Sequence, residues 1–198
     1  GAVAARLAGW GARQRLIVRD LSRAPQLPGA EVAYAADYGD TEGMTQALRG
    51  VQTLFLVSAA EAPDRLERHF SAVDAALAAG VERIVYLSLL SAAPNATFTL
   101  ARQHFHTEER IRASGAAFTF LRSGLYADFV PYLFGKDGVI RGPAGDGRTS
   151  YVTRADVADV AAVVLTSAGH DGLTYTNTGP EALTMSETVA LVSEFAGR

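Results

Sequence analysis

Cysteine is absent from the 198 residues, which excludes a disulfide scaffold and thiol catalysis and agrees with a reducing, cytoplasmic setting. No apolar run is long enough to cross a bilayer, and there is no signal-like start. An excess of positive charge is also missing. The net charge of -3 argues against non-specific binding to nucleic acid or to anionic membranes, both of which need a basic field. Internal repeats, low-complexity tracts and domain-separating linkers do not occur. What remains is an apolar chain, 48% hydrophobic against 20% charged, sufficient for one substantial core.

Short apolar runs alternate with helical patterns. Strands are expected at 14–19, 31–34, 53–58, 83–88 and 117–122, and helices at 2–9, 41–49, 64–79, 101–114, 155–168 and 186–196. The strand runs are nearly continuously apolar, as when helices cover both sheet faces. The fold class is therefore α/β, a doubly wound parallel sheet of Rossmann-like type. Asp40 is placed to cap the second helix, Asp64 opens the third, and Gly50, Gly80 and Gly115 follow helix ends. Residues 131–150 read as loop and short hairpin. The expected division is a dinucleotide-binding core over 1–130 and a partial substrate-side lobe of the same domain over 131–198.

The order at the start is informative. A helix, then the strand Arg15-Leu16-Ile17-Val18 ending in Arg19, is the second half of a βαβ dinucleotide unit. The strand and glycine-rich turn that begin such a unit are not in the sequence, and the expectation is that the sequence is a piece of a longer chain. In doubly wound sheets ligands bind beyond the carboxyl ends of the strands. An arginine at the end of the second strand suits the phosphate of NADP, whereas an acidic residue there suits NAD. Arg19 is accordingly a cofactor candidate, against a plain surface role.

Other strand ends supply further candidates. Asp37, followed by Tyr38, is placed to contact an adenine amino group or to serve as a helix-start residue. Ser58, Ala59 and Ala60 are small enough for a dinucleotide to approach closely. Ser88 ends the fourth strand, and Arg122, Gly124 and Tyr126 follow or end the fifth. His104 and Glu108 stand four apart and share a helix face; His104 is a candidate proton or hydrogen-bond donor to a carbonyl oxygen, and the alternative is an ordinary helix pair. A metal site lacks a third ligand at suitable spacing. The Gly142–Gly147 loop precedes another extended run rather than a helix, so it reads as a hairpin turn and not a phosphate cradle.

The segments LIVRDLSRAPQLPG, ADYGD, LFLVSA, VYLSLLSA, RQHFHTEERIRASGAAFTFLRSGLYADF and GPAGDGRTSYVTRADVADVAA together resemble the NmrA-like branch of the atypical short-chain dehydrogenase/reductases, and within it the NADPH-dependent quinone oxidoreductase subgroup. The resemblance covers essentially the whole chain. It implies a Rossmann fold holding NADP(H) across the carboxyl edge of the sheet. It also implies that Arg19 meets the 2′-phosphate, Asp37 and Tyr38 the adenine side, Ser58 to Ala60 the cofactor's length, and Arg122 to Tyr126 the nicotinamide side. His104 takes the place where many relatives carry a lysine. The family's T-G-A-T-G-x-x-G loop would lie before Gly1, and the Tyr-x-x-x-Lys pair of ordinary short-chain dehydrogenases is absent. The expected activity is NADPH-dependent reduction of a quinone or related carbonyl compound, with His104 and Tyr126 polarising the acceptor oxygen. The alternatives are an NADP-sensing regulatory binding protein without turnover and a fragment without cofactor affinity. The partners expected are a small-molecule substrate, with no nucleic acid or membrane, and a homodimer or a regulatory protein as open assemblies.

Overall fold

The computed structural model describes residues 1–142 and 144–196. Its helices are α1 (Ala2–Gly9), α2 (Thr41–Leu48), α3 (Arg65–Ala78), α4 (Thr99–Arg112), α5 (Arg154–Thr166) and α6 (Met185–Ala196). The strands are β1 (Gln14–Val18), β2 (Ala30–Tyr34), β3 (Thr53–Val57), β4 (Arg83–Leu89), β5 (Ala117–Ser123), β6 (Arg148–Thr149), β7 (Leu173–Asn177) and β8 (Leu183–Thr184). Each of the five strands and six helices expected from the sequence is present, with ends shifted by at most a few residues.

The strands β3, β4, β5 and β7 form one parallel sheet in the order β3-β4-β5-β7. β1 and β2 form a second parallel pair. Among the described residues no ladder joins β1 to β3. The two sheets still share a core, because Ile17 of β1 packs against the buried cluster to which Leu54 and Leu56 of β3 belong.

Alternation along β4 assigns its side chains to two layers. Ile84 and Tyr86 join Phe120 and the buried faces of α2, α3 and α4. Val85 and Leu87 join Leu121, Ala161 and Val164 on the α5 side, where Val3 of α1 also packs. Helices on both faces explain why β4 is buried almost throughout, and why its sequence is apolar without alternation. Half of the buried residues of α3 are alanine (Ala72, Ala75 and Ala76), beside Val73, Arg65 and His69.

Capping follows the local chemistry. Asp40 accepts the Gly43 N–H at 2.9 Å and starts α2. Asp64 occupies the N-cap of α3 without a side-chain cap bond and instead accepts from Arg68 Nε at 2.8 Å. Gly80, at φ +82°, stops α3 while the Val81 N–H returns to the Ala76 carbonyl at 3.0 Å.

Two features depart from expectation. β7, for which no strand was expected, extends the main sheet beside β5. And the Gly142–Gly147 loop does not turn a local hairpin: β6 beyond it pairs antiparallel with β8, 34 to 36 residues later. The short hairpin lies earlier, closed by a bridge between Phe134 and Ile140. Pro143, in that loop, lies outside the described residues.

Candidate functional site

The parallel strands end together, so the loops after β1, β2, β3, β4, β5 and β7 all leave from the carboxyl edges of the two sheets. Arg19 follows β1 directly and is exposed. No ion pair among the described residues involves it. Its charge reaches Tyr38, whose hydroxyl is pushed up by burial and pulled partly back by Arg19. Arg19 and Tyr38 are therefore brought together, and the Tyr38 hydroxyl donates to the Val57 carbonyl at the end of β3 at 2.8 Å. Asp37 turns inward on its own chain: it accepts the Gly39 N–H at 2.7 Å and pairs with Arg68 at 3.4 Å. Arg68 also pairs with Asp64 at 2.8 Å, tying the loop after β2 to the start of α3.

The loop Ser58-Ala59-Ala60 is supported by a buried polar network. The Ala59 N–H donates to His69 Nε2 at 2.9 Å, and its carbonyl accepts Arg65 Nε at 2.8 Å. Arg65 also donates to Gln103 Oε1 and to His104 Nε2, each at 3.0 Å. Because a guanidinium only donates, His104 Nε2 is an acceptor, and its Nδ1–H is left to donate to the Tyr86 hydroxyl at 2.8 Å. By the same logic His69, accepting at Nε2, donates from Nδ1 to Thr107 Oγ1 at 3.0 Å, while Thr107 donates to the Gln103 carbonyl at 2.9 Å. Burial first, then the charge of Arg65, pushes both histidines down to about 3. Burial likewise pushes the Tyr86 hydroxyl up.

His104 was expected to face an acceptor or, alternatively, to form an ordinary helix pair with Glu108. The structure gives it neither role: it is 5% exposed, both ring nitrogens are engaged inside the protein, and the neutral ring carries no ionisable proton near pH 7. Glu108 is fully buried and belongs to another cluster. It accepts Ser88 Oγ at 2.7 Å and takes Arg122 in a two-point pair, Nε at 2.9 Å and Nη2 at 2.6 Å. That pair raises the Arg122 pKa. Ser88 and Arg122, both expected at the cofactor, therefore hold α4 onto β4 and β5.

Gly124 does border open space. A cavity of about 600 Å³ lies beyond β4 and β5, walled by Leu89, Leu90, Phe98, Ala101, Gly124 and Leu125 on its apolar side and by Arg148, Thr149 and Thr178 on its polar side. Part of the Gly124 reading is corrected here: the close backbone approach comes from this chain itself, since a Cβ at 124 would lie 3.2 Å from the Ser150 carbonyl. Ser91, also on the wall, holds φ +66°, the one non-glycine residue with positive φ among the described residues. Tyr126 is half-buried beside that region and is not a wall residue; the Arg154 guanidinium lies 5.8 Å from its ring and 4.6 Å from that of Phe129.

Arg65, His69 and Tyr86 were missed by the sequence reading. A signal existed: Arg65 and His69 stand four apart on the face of α3 that carries Ala72, Val73 and Ala76. Two polar groups interrupting an apolar stripe mark a buried network.

Comparison with known proteins agrees with the edge geometry. Residues 1–168 match a family model described as NAD(P)H-binding. The chain is 38% identical to quinone oxidoreductase 2 of Escherichia coli (strain K12) over 188 residues, 92% of this chain and 65% of that protein. It is 31% identical to an NAD(P)H azoreductase of Xenophilus azovorans, over 93% of this chain and 65% of that protein. It thus spans less than two thirds of the length of these relatives. Superposition on the crystal structure of an NADPH-dependent quinone oxidoreductase complexed with NADPH, from Escherichia coli, gives a TM-score of 0.84 at 38% identity, covering 93% of this chain and 66% of that one. No helix among the described residues is long and apolar enough to cross a membrane. With its parallel α/β fold, its Rossmann-like architecture and these matches, the chain belongs to the NAD(P)H-binding, NmrA-like family.

Proposed function

We propose that the protein is an NADPH-dependent reductase acting on a quinone or related carbonyl compound. The observation that carries this reading is the pairing of Arg19 at the end of β1, exposed and without an ion pair among the described residues, with a separate, mostly apolar cavity of about 600 Å³ beyond β4 and β5. Arg19 suits a 2′-phosphate because a guanidinium presents several donors in a fixed fork. The loop at Ser58-Ala59-Ala60 offers little side-chain bulk where a dinucleotide would run. Leu89, Phe98 and Leu125 suit a flat ring, and Thr149, Thr178 and Arg148 suit its oxygens. When bound, the nicotinamide supplies the hydride.

This chain's own residues position, exclude water and hold charge. Tyr126 is the proposed donor toward the acceptor oxygen from the rim. The contribution proposed for His104 is positional, as a neutral ring fixed between Arg65 and Tyr86. Small relatives of the acceptor need little acid catalysis, because a quinone accepts hydride to give a stabilised anion.

The test is reduction of a panel of quinones by NADPH, followed at the NADPH absorbance band, together with the shift in thermal midpoint on adding NADPH or NADH. Turnover with at least one quinone and a larger shift with NADPH are expected. NADPH binding without turnover of any acceptor would instead support a sensor, and no shift with either nucleotide would overturn the reading.

A further inference from the structure

Both polar atoms of the Ala59 peptide are held by side chains of α3: its N–H by His69 and its carbonyl by Arg65. The same Arg65 turns its remaining nitrogens to α4, reaching Gln103 Oε1 and His104 Nε2, each at 3.0 Å. One turn earlier, the start of α4 forms a wall of the cavity through Phe98 and Ala101. A single guanidinium, 1% exposed, therefore joins the loop on the dinucleotide edge to the helix on the acceptor side.

No carboxylate pairs with Arg65 among the described residues. A buried charge with no carboxylate in contact is costly, and Glu61 acts on it only from a distance. An apolar side chain would avoid that cost but orphan three acceptors, the Ala59 carbonyl, Gln103 Oε1 and His104 Nε2. Nor would it provide the fork: three donors aimed in fixed directions at two separate elements. The fork gives Arg65 a linking role.

We propose that Arg65 is a positioning residue that couples the two halves of the site, so that the dinucleotide at loop 58–60 and the ring compound at the α4 wall bind cooperatively. This rests on the functional reading above. Occupancy of the dinucleotide edge fixes the Ala59 peptide, which fixes the guanidinium plane, which fixes Gln103 and His104 and hence the cavity wall. Coupling of this kind is reciprocal: each ligand tightens the other by the same factor.

The experiment uses the full chain and a non-reacting pair, NADP+ and 1,4-naphthoquinone, so that no turnover intervenes. The Kd of naphthoquinone is measured with and without saturating NADP+. In the unaltered protein NADP+ is expected to tighten naphthoquinone at least about fivefold, the lower end of usual coupling. Arg65→Met, which removes both arms, is expected to bring that factor to within twofold of one, and Gln103→Leu, which cuts one of the two bonds to α4 and leaves those to His104 and Ala59, is expected to lower it at least twofold. Gln103→Leu is further expected to leave the Kd of NADP+ alone unchanged, which a general loss of structure would not do. Arg65→Lys keeps the charge without the fork and is expected to follow Arg65→Met. Should Arg65→Met fail to fold, Gln103→Leu decides. Coupling that is undiminished in Gln103→Leu or survives in a folded Arg65→Met, or that is absent from an unaltered protein binding both ligands, overturns the inference. An unaltered protein that binds no NADP+ overturns the functional reading and the inference with it.

Discussion

Replacing Glu108 with leucine removes the acceptor of an interior cluster and leaves its donors behind. The carboxylate is fully buried and receives Ser88 Oγ at 2.7 Å, Arg122 Nε at 2.9 Å, Arg122 Nη2 at 2.6 Å and Arg112 Nη2 at 3.4 Å. Breaking a buried pair from one side costs about 3–5 kcal/mol, and an orphaned hydroxyl such as that of Ser88 adds about 1–3 kcal/mol. Arg122 keeps 24% of its side chain exposed, so water recovers part of its loss and the low end of the two together applies, about 4 kcal/mol. For a domain of this size that corresponds to a fall in thermal midpoint of about 8–16 °C. Urea denaturation of the unaltered protein and of Glu108→Leu measures the difference directly. The double variant Glu108→Leu/Arg122→Leu removes the stranded cation as well, and is expected to be more stable than Glu108→Leu alone. A cost below about 1 kcal/mol, as for an exposed pair, would refute the assignment of Glu108 as the anchor of α4. So would a double variant weaker than the single one.

Other perturbations test other parts of the structure. The unfolded histidines titrate near 6.5 and the folded His69 and His104 near 3, so below pH 6.5 the unfolded chain binds more protons. Stability is therefore expected to fall as pH drops from 6.5 toward 3, by up to about 1.4 kcal/mol per unit for each histidine. Urea denaturation at pH 7 and pH 5 should show this loss roughly halved in His104→Asn, and an equal loss in both proteins would count against the buried neutral rings. Gly179→Ala places a Cβ 1.9 Å from the Tyr151 carbonyl, which must displace the segment that lends Ser150 to the cavity. A loss of about 1–3 kcal/mol is expected from such overpacking, together with weaker naphthoquinone binding, and an unaltered melting curve would contradict the close approach. Arg19→Ala should cut the preference for NADPH over NADH at least tenfold in side-by-side thermal shifts, and an unchanged preference would remove Arg19 from the phosphate role.

Most of the fold was legible because its causes are local. Runs such as LFLV and RIVYLSL are apolar without alternation because helices cover both faces, and Asp40, Gly80 and Gly115 carry their capping chemistry in the residue itself. β7 escaped for the opposite reason. Leu-Thr-Tyr-Thr-Asn is short, largely exposed and at the edge of its sheet, so no apolar run marks it, and only the brief alternation of Leu173 and Tyr175 with threonines does. Its strand character comes from pairing with β5, a tertiary fact. β6 likewise owes its pairing to β8, far along the chain, and the glycines between 142 and 147 gave no sign of that.

The candidate site divides along the same line. Position at a strand end follows from local pattern, and Arg19, Tyr38, Ala59 and Gly124 do lie along the carboxyl edges. Partnership does not. The four-residue spacing of His104 and Glu108 correctly puts both on the inner face of α4, yet a helix face 14 residues long meets more than one neighbour. His104, one turn nearer the N-terminus, meets α3 and finds Arg65. Glu108 meets β4 and β5 and finds Ser88 and Arg122. Spacing fixes the direction in which a side chain points; the element packed opposite decides its chemistry. Buried polar residues on an otherwise apolar stripe are thus the sharper sequence signal. A charge or imidazole retained there needs a partner inside, and in this chain those partners tie the loop at Ala59 to α3 and α4.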